Sequence, residues 1–341
     1  MVTCPANRKT PAFLGTRGIT FFFPDAEQTS MRYYPDPGRA IDLSRLNRVV
    51  EESFAEHARG RVQMPPKVYV TLPRGDFRTM PAYIPSLGIA GVKIVNVHPE
   101  NPSRGIPSVM AITIILDVDT GAPRAVLNAT ELTDMRTGAA GAVAAAHLSP
   151  SRSVSLGMVG SGRQAKSQVE AIEKELDVRE VLVWSRSEKN ANHLCTQLDH
   201  LECRTSSLPK VCECDVLVTA TPSREPLVLD EWIREGTHIN AIGADAPGKE
   251  ELDPAILRRA RVFVDDPEQA AHSGEVNVPI SSGLFSMDMI AGTLGQVVIG
   301  EKRRMNRDEI TVFDSTGLAI QDLAIAAIAL EDQGGIELAF P

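Results

Sequence analysis

Five charged side chains interrupt apolar runs in a way that suggests chemistry rather than surface. Lys67 in M-P-P-K-V-Y, Arg78 in G-D-F-R-T-M-P and Lys93 in G-V-K-I-V-N each break a strand-like apolar pattern. Buried cations are costly unless paired. Three on neighbouring strands therefore point to a pocket for an anion such as a carboxylate, the plain alternative being long side chains that reach the sheet edge along their apolar stems. Arg136, in D-M-R-T-G-A-A, is a candidate fourth member. Asp245, in I-N-A-I-G-A-D-A-P-G-K, stands just past a strand-like run, where open α/β sheets place their ligands. It is a candidate acid/base group, with turn stabilisation by its side chain as the equal alternative.

A second constellation is Gly160-Ser161-Gly162-Arg163-Gln164-Ala165, which follows the strand-like Val154–Val159 and opens a helical pattern. That context lifts a Gly-x-Gly-x-x-Ala sequence above chance as a dinucleotide fingerprint. Gly160 permits the tight turn, Gly162 lets a pyrophosphate approach the backbone, and the helix N-terminus offers free N–H groups and a positive dipole. Some twenty residues on, the second strand ends V-L-V-W-S-R-S without the acid that would accept a ribose 2′-hydroxyl. Ser185, Arg186 and Ser187 suit a 2′-phosphate instead, so NADP(H) is favoured, with NAD(H) held through other contacts as the alternative.

The elements that must carry these groups are legible in outline. The 341 residues allow about two domains, and 43% apolar with 23% charged residues is the composition of a globular protein. A net charge of −9 speaks against a nucleic-acid partner. No apolar stretch nears the ~20 residues of a membrane helix, and no secretory segment is apparent, so a cytoplasmic protein without membrane partners is expected. Residues 1–19, with Arg8, Lys9 and Arg17 and no acid, read as a tail. Four cysteines (Cys195, Cys203, Cys212 and Cys214) fall within twenty residues but lack ligand-spaced histidines; they read as reduced structural thiols with no metal.

Leu46, Val49, Val50 and Phe54 mark one face of a helix over 41–60. Strand patterns at 67–72, 77–83, 91–97 and 108–116 read as an antiparallel meander. A helix rich in Ala and Gly begins at Thr130 and joins the halves. Beyond Pro150, strand-like runs at 154–159, 180–184, 215–219, 237–243, 261–265 and 309–314 alternate with helices, the pattern of a mainly parallel sheet. A last helix, about 316–331, leaves that sheet. The fold class is thus α/β, a doubly wound parallel sheet of Rossmann type plus an α+β domain.

The segments M-P-P-K-V-Y, V-N-V-H-P-E-N-P, R-T-G-A-A, G-S-G-R-Q-A, H-I-N-A-I-G-A-D-A-P-G-K-E-E-L and F-D-S-T-G-L-A-I-Q-D, in this order from about residue 40 to 330, resemble the ornithine cyclodeaminase/mu-crystallin family. Within it the chain is most similar to the archaeal-type alanine dehydrogenases. The resemblance implies a substrate-binding and dimerising domain from residues 1–132 with 316–341, around a dinucleotide-binding domain, 133–315, and a homodimer. It assigns Lys67, Arg78 and Arg136 to the substrate carboxylate, Lys93 to the carboxylate or keto oxygen, and Asp245 to proton transfer. By the same analogy Thr137, Ala220, Thr221, Ser315 and Thr316 line the cofactor. Members with cyclodeaminase activity typically carry Glu where this chain has Arg78, which an ornithine side chain would not favour. The expected activity is an NAD(P)-dependent dehydrogenase or imine reductase of a small L-amino acid, its keto acid or a cyclic imine. The alternatives are cyclodeamination of ornithine to proline, and a ketimine reductase or crystallin-type NADPH-binding protein.

Overall fold

The computed structural model describes residues 30–332 and 334–339, so the basic segment 1–19 lies outside the described residues. In chain order the first part comprises β1 (Ser30–Tyr34), α1 (Leu43–Ala58), β2 (Val68–Leu72), β3 (Gly75–Ile84), β4 (Ile89–Val97), β5 (Val109–Leu116), β6 (Pro123–Asn128) and α2 (Thr130–Leu148). Next come β7 (Ser153–Val159), α3 (Arg163–Ile172), β8 (Asp177–Trp184), α4 (Glu188–Gln197), β9 (Cys203–Thr205), α5 (Leu208–Cys212), β10 (Val216–Thr219), β11 (Arg224–Val228), β12 (His238–Ala241) and β13 (Glu250–Leu252). They are followed by α6 (Pro254–Arg259), β14 (Arg261–Val264), α7 (Pro267–Ser273), α8 (Asn277–Ser281), β15 (Ile290–Thr293), α9 (Leu294–Val298), β16 (Thr311–Asp314), α10 (Ala319–Ala329) and β17 (Ile336–Ala339).

The first sheet has seven strands in the order β17-β1-β6-β5-β4-β3-β2. Its β5-β4-β3-β2 side is the meander read from the sequence, and alternation there decides which face each residue takes. Arg78, Met80, Ala82 and Ile84 of β3, with Ile89, Lys93 and Val95 of β4, are buried on the inner face. Met80 stands opposite Lys93 and Arg78 opposite Val95, so the two cations share one face on adjacent strands. The inner face is covered by α1 and α10. Asp42 starts α1 by accepting the amide of Arg45 (2.7 Å), and Leu46, Val49, Val50 and Phe54 are its buried stripe. Three strands of this sheet escape the sequence reading, as do β9, β11, β13 and β15 elsewhere: they are β6, and β1 and β17, which extend the edge beyond it, β1 parallel to β6 and β17 antiparallel to β1.

The second sheet has eight strands, β15-β14-β16-β12-β10-β7-β8-β9, with every neighbouring pair parallel. The chain runs outward from β7 to β9, then returns to the other side of β7 as β10. The carboxyl ends of β7 and β10 therefore flank the switch point at which such sheets bind ligands. Helix α2 packs on α1, α3 and α10 and spans the two sheets. Helix α10 is buried along its whole length and lies against β3 and β4 of the first sheet.

One expectation is corrected. Cys195 of α4 and Cys203 of β9 form a disulfide, with Cα atoms 5.1 Å apart, whereas Cys212 and Cys214 are free and buried. The pairing follows from α4 packing back on β9, a tertiary contact that cysteine spacing does not encode. Burial pushes the Cys212 thiol up to about 12 and that of Cys214 up to about 11, which keeps both unreactive near neutral pH. Among the described residues no group of His, Cys, Asp and Glu could hold a metal ion, and no helix is long and apolar enough to cross a membrane.

Candidate active site

The turn from β7 into α3 is shaped by its glycines. Gly160 adopts φ of 121°, and a Cβ there would lie 2.6 Å from the carbonyl oxygen of Ala220, so the loops after β7 and β10 meet at this point. Gly162 is different: a Cβ there would meet no protein atom within 4 Å. The space over it is open, and α3 begins there without a side-chain cap, leaving its first amides free. Beside it lies a cleft of about 330 Å³ lined by Gly160, Ser161, Gly162, Ser185, Arg186, Asn190, Ala220, Thr221 and other residues. Ser161 Oγ donates to Ser185 Oγ across it (2.9 Å). Open space above glycine, free helix amides and a cleft leading to the end of β8 fit a dinucleotide.

A larger cavity, about 670 Å³, opens from the same loop, because Gly162 and Ala220 line both. Lys67, Arg78, Lys93, Arg136 and Asp245 converge on it from the first sheet, α2 and the turn after β12. Thr137, Arg163, Gln164, Ser315 and Thr316 line it as well. Met80, Val95, Val97, Ile106 and Val109 give it an apolar wall. Not every residue singled out from the sequence faces these spaces. Ala165 is buried in the core and Ser187 caps α4 by accepting the amide of Asn190 (3.3 Å), whereas Arg163 lines the larger cavity while it pairs with Asp134.

Each cation has a fixed partner. Lys67 donates to the carbonyl of Thr316 (2.6 Å). Lys93 donates to Asp322 Oδ1 (2.6 Å), and Arg136 Nε lies 2.9 Å from the same oxygen, while Arg136 Nη1 donates to Gln321 Oε1 (2.7 Å). Arg78 donates through Nε to Asp76 (2.8 Å) and through Nη1 to the Asp245 carboxylate (3.2 Å), and its guanidinium stands 5.1 Å from the Tyr69 ring. Lys249 closes the other side of Asp245 at 2.5 Å. Burial lowers Lys67 to about 8 and also lowers Lys93, where Arg136 adds repulsion and Asp322 opposes both. Burial would raise Asp245, but Lys249, Arg78 and Lys67 outweigh it and hold the carboxyl well below the usual range. Asp245 is therefore held as an anion on the lining of a cavity that also carries Lys67, Arg78, Lys93 and Arg136.

The sequence reading missed Asp76, Lys249, Gln321 and Asp322. Two of them carried a signal: Asp322 is an acid inside the apolar run A-I-Q-D-L-A-I-A, and Lys249 follows Asp245 by four residues across a Pro-Gly turn. An acid buried in such a helix needs a cationic partner. Which cations they were required the fold.

Residues 27–334 match the ornithine cyclodeaminase/mu-crystallin family. An alanine dehydrogenase of Archaeoglobus fulgidus is 47% identical over 295 residues, covering 86% of this chain and 91% of the relative. An archaeal alanine dehydrogenase dimer with bound NAD superposes with a TM-score of 0.89 at 43% identity, over 92% of this chain and all (100%) of the other. The Thermococcus litoralis Δ1-pyrroline-2-carboxylate reductase, in complex with NADH and L-proline, gives 0.85 at 33% identity, over 90% and 99% of the two chains. With the family match over residues 27–334 and near-half identity to a relative across most of both chains, the chain belongs to the ornithine cyclodeaminase/mu-crystallin family.

Proposed function

We propose that this protein is an NAD(P)-dependent oxidoreductase that interconverts a small L-amino acid with its imine, and so with the keto acid or a cyclic imine. The observation that carries this reading is the shared lining of the two spaces: the glycine turn that suits a dinucleotide opens into the cavity that holds Asp245 and four cations. The relatives that act as alanine dehydrogenase and pyrroline-carboxylate reductase support it.

The dinucleotide, held at Gly160–Gly162, Ser161, Ser185, Ala220 and Thr221, would supply the hydride acceptor or donor. The rest belongs to this chain. Lys67 and Arg136 keep N–H donors beyond those committed to Thr316, Gln321 and Asp322, and bind the substrate carboxylate. Arg78 takes part while it anchors Asp245. Lys93 hydrogen-bonds the carboxylate or keto oxygen. Asp245 Oδ takes a proton from the substrate ammonium or from the water that hydrolyses the imine, and returns it in the reverse direction. A substrate carboxylate among these cations shares their attraction, which moves Asp245 back toward a useful base. The domain division at 132/133 and 315/316 is part of the same reading, since α2 and α10 link the cavity walls contributed by each side.

The absence of an acid at the end of β8, with exposed Arg186 at the mouth of the smaller cleft, favours NADP(H). The test is a panel of L-amino acids, keto acids and cyclic imines run with both cofactors, on wild type and Arg186→Ala. Reduced cofactor formed from alanine or a similar small amino acid is expected. Loss of the charge-assisted pair should weaken NADPH by about one to two decades and NADH far less. Proline formed from ornithine without net reduced cofactor would overturn the dehydrogenase reading. A wild type that prefers NADH would overturn the NADP(H) assignment alone.

A further inference from the structure

Behind the site, one buried carboxylate touches both turns that frame it. Glu251, the middle residue of β13, is fully buried (0% exposed) and accepts the amide of Thr221 at 2.7 Å and that of Gly243 at 2.9 Å. Thr221 belongs to the turn after β10 that lines the dinucleotide cleft. Gly243 opens the turn after β12 that presents Asp245: the Asp245 amide donates to its carbonyl (3.1 Å), and Lys249 Nζ also reaches that carbonyl (3.3 Å). The two turns are in contact here, since a Cβ on Gly243 would lie 2.2 Å from the carbonyl oxygen of Thr221. Glu251 is itself held from beneath, where Glu275 accepts the amides of Glu251 and Leu252 at 2.8 and 2.7 Å.

We infer that Glu251 is a positioning residue for the reaction: its two oxygens tie the cofactor-side turn to the Asp245 turn and so fix the distance between dinucleotide and proton-transfer group. An amide would not serve as well. Glutamine in the same place offers one carbonyl oxygen to two amides and points an N–H at the other, which forces the turns apart or takes from the Thr221 amide its carboxyl acceptor, while the Gly243 amide falls back on the Thr219 carbonyl (3.2 Å). Near-attack geometry is sensitive to shifts of about 1 Å, which can cost on the order of a hundredfold in rate. The inference rests on the reading of Asp245 as the acid/base group.

The experiment compares Glu251→Gln, Asp245→Asn and the double variant. In the protein without added cofactor, hydrogen exchange followed by mass spectrometry should rise in segments 219–223 and 241–249 together in Glu251→Gln, with β7 and β8 unchanged. With the best substrate of the panel, Glu251→Gln should lower kcat about tenfold or more, with KM for the cofactor changed less than about threefold. In the Asp245→Asn background the same change should cost little, because what it positions has gone. Unchanged exchange in both segments, or an equal fold-loss in both backgrounds, would overturn the inference. If Asp245→Asn leaves kcat intact, the acid/base reading falls instead. Should the glutamine variant not fold, Glu251→Asp keeps both acceptors on a shorter arm; exchange intermediate between wild type and full loss is expected, and wild-type exchange counts against the inference.

Discussion

Lys67 shows how one residue can push stability and binding in opposite directions with pH. Its ammonium is buried and its folded value is lowered to about 8, below that of an ordinary lysine. Between about 8 and the ordinary lysine value near 10.4 the unfolded chain holds this proton and the folded chain does not. The unfolded state then binds more protons, so the contribution of Lys67 to stability rises with pH across that window. Carboxylate binding goes the other way, because it needs the cation. The inhibition constant of an unreactive small carboxylate such as propionate should weaken as pH rises through about 8, approaching tenfold per unit when a single proton is lost. Lys67→Met should flatten that dependence at weaker affinity. A constant that does not move between pH 7 and 9 in the wild type would remove Lys67 from the carboxylate site.

At the scale of elements, α10 explains why so much of the site was legible and why its completion was not. The strand alternation that turns Arg78 and Lys93 inward is a local property, and a Gly-x-Gly-x-x-Ala turn between strand and helix is local too; both can be read before any fold is known. Asp322 and Gln321 lie 229 and 185 residues beyond Lys93 and Arg136, respectively, and meet them because α10 returns from the parallel sheet to the face of β3 and β4. Sequence shows an apolar helix there, not the sheet it packs on. The disulfide between α4 and β9 and the outer strands β1 and β17 escaped for the same reason, as tertiary pairings of weakly patterned segments. Since α10 is both core and scaffold, damage to its packing should appear in two measurements. Ile325, 1% exposed, makes no hydrogen bond to the site through its side chain, and Ile325→Ala should cost about 2–5 kcal/mol in denaturant unfolding. The substrate KM should rise with it as Lys93 and Arg136 lose their fixed partners. A stability loss with KM unchanged would mean that the ion pairs hold without the helix packing.

For the whole molecule, the first sheet poses the remaining question, because its outer face is apolar and, among the described residues, left uncovered. Val92 pairs with Ile114 and Ile94 with Ile112 across β4 and β5, while Val126 on β6 stands beside Ile114, and the side chains of this row lie half-buried or exposed, Ile112 at 41%. A soluble monomer rarely leaves a contiguous apolar sheet face to water. We propose a second copy of the chain as the cover, since a two-fold axis matches an apolar patch to itself, and the similar alanine dehydrogenase structure is a dimer. The opposite face of the same sheet carries Arg78 on β3 and Lys93 on β4, so a dimer through this sheet would stiffen the floor of the substrate cavity without supplying a residue to it. Ile94→Asp places a charge at the centre of the row, where burial against a like charge from the partner is strongly unfavourable. Light scattering coupled to size exclusion should then find a monomer in place of a dimer. Cofactor binding, which depends on the other sheet, should persist, while the substrate KM rises as β4 loses its support. A variant that remains dimeric would assign the subunit contact to another surface and leave this apolar face unexplained.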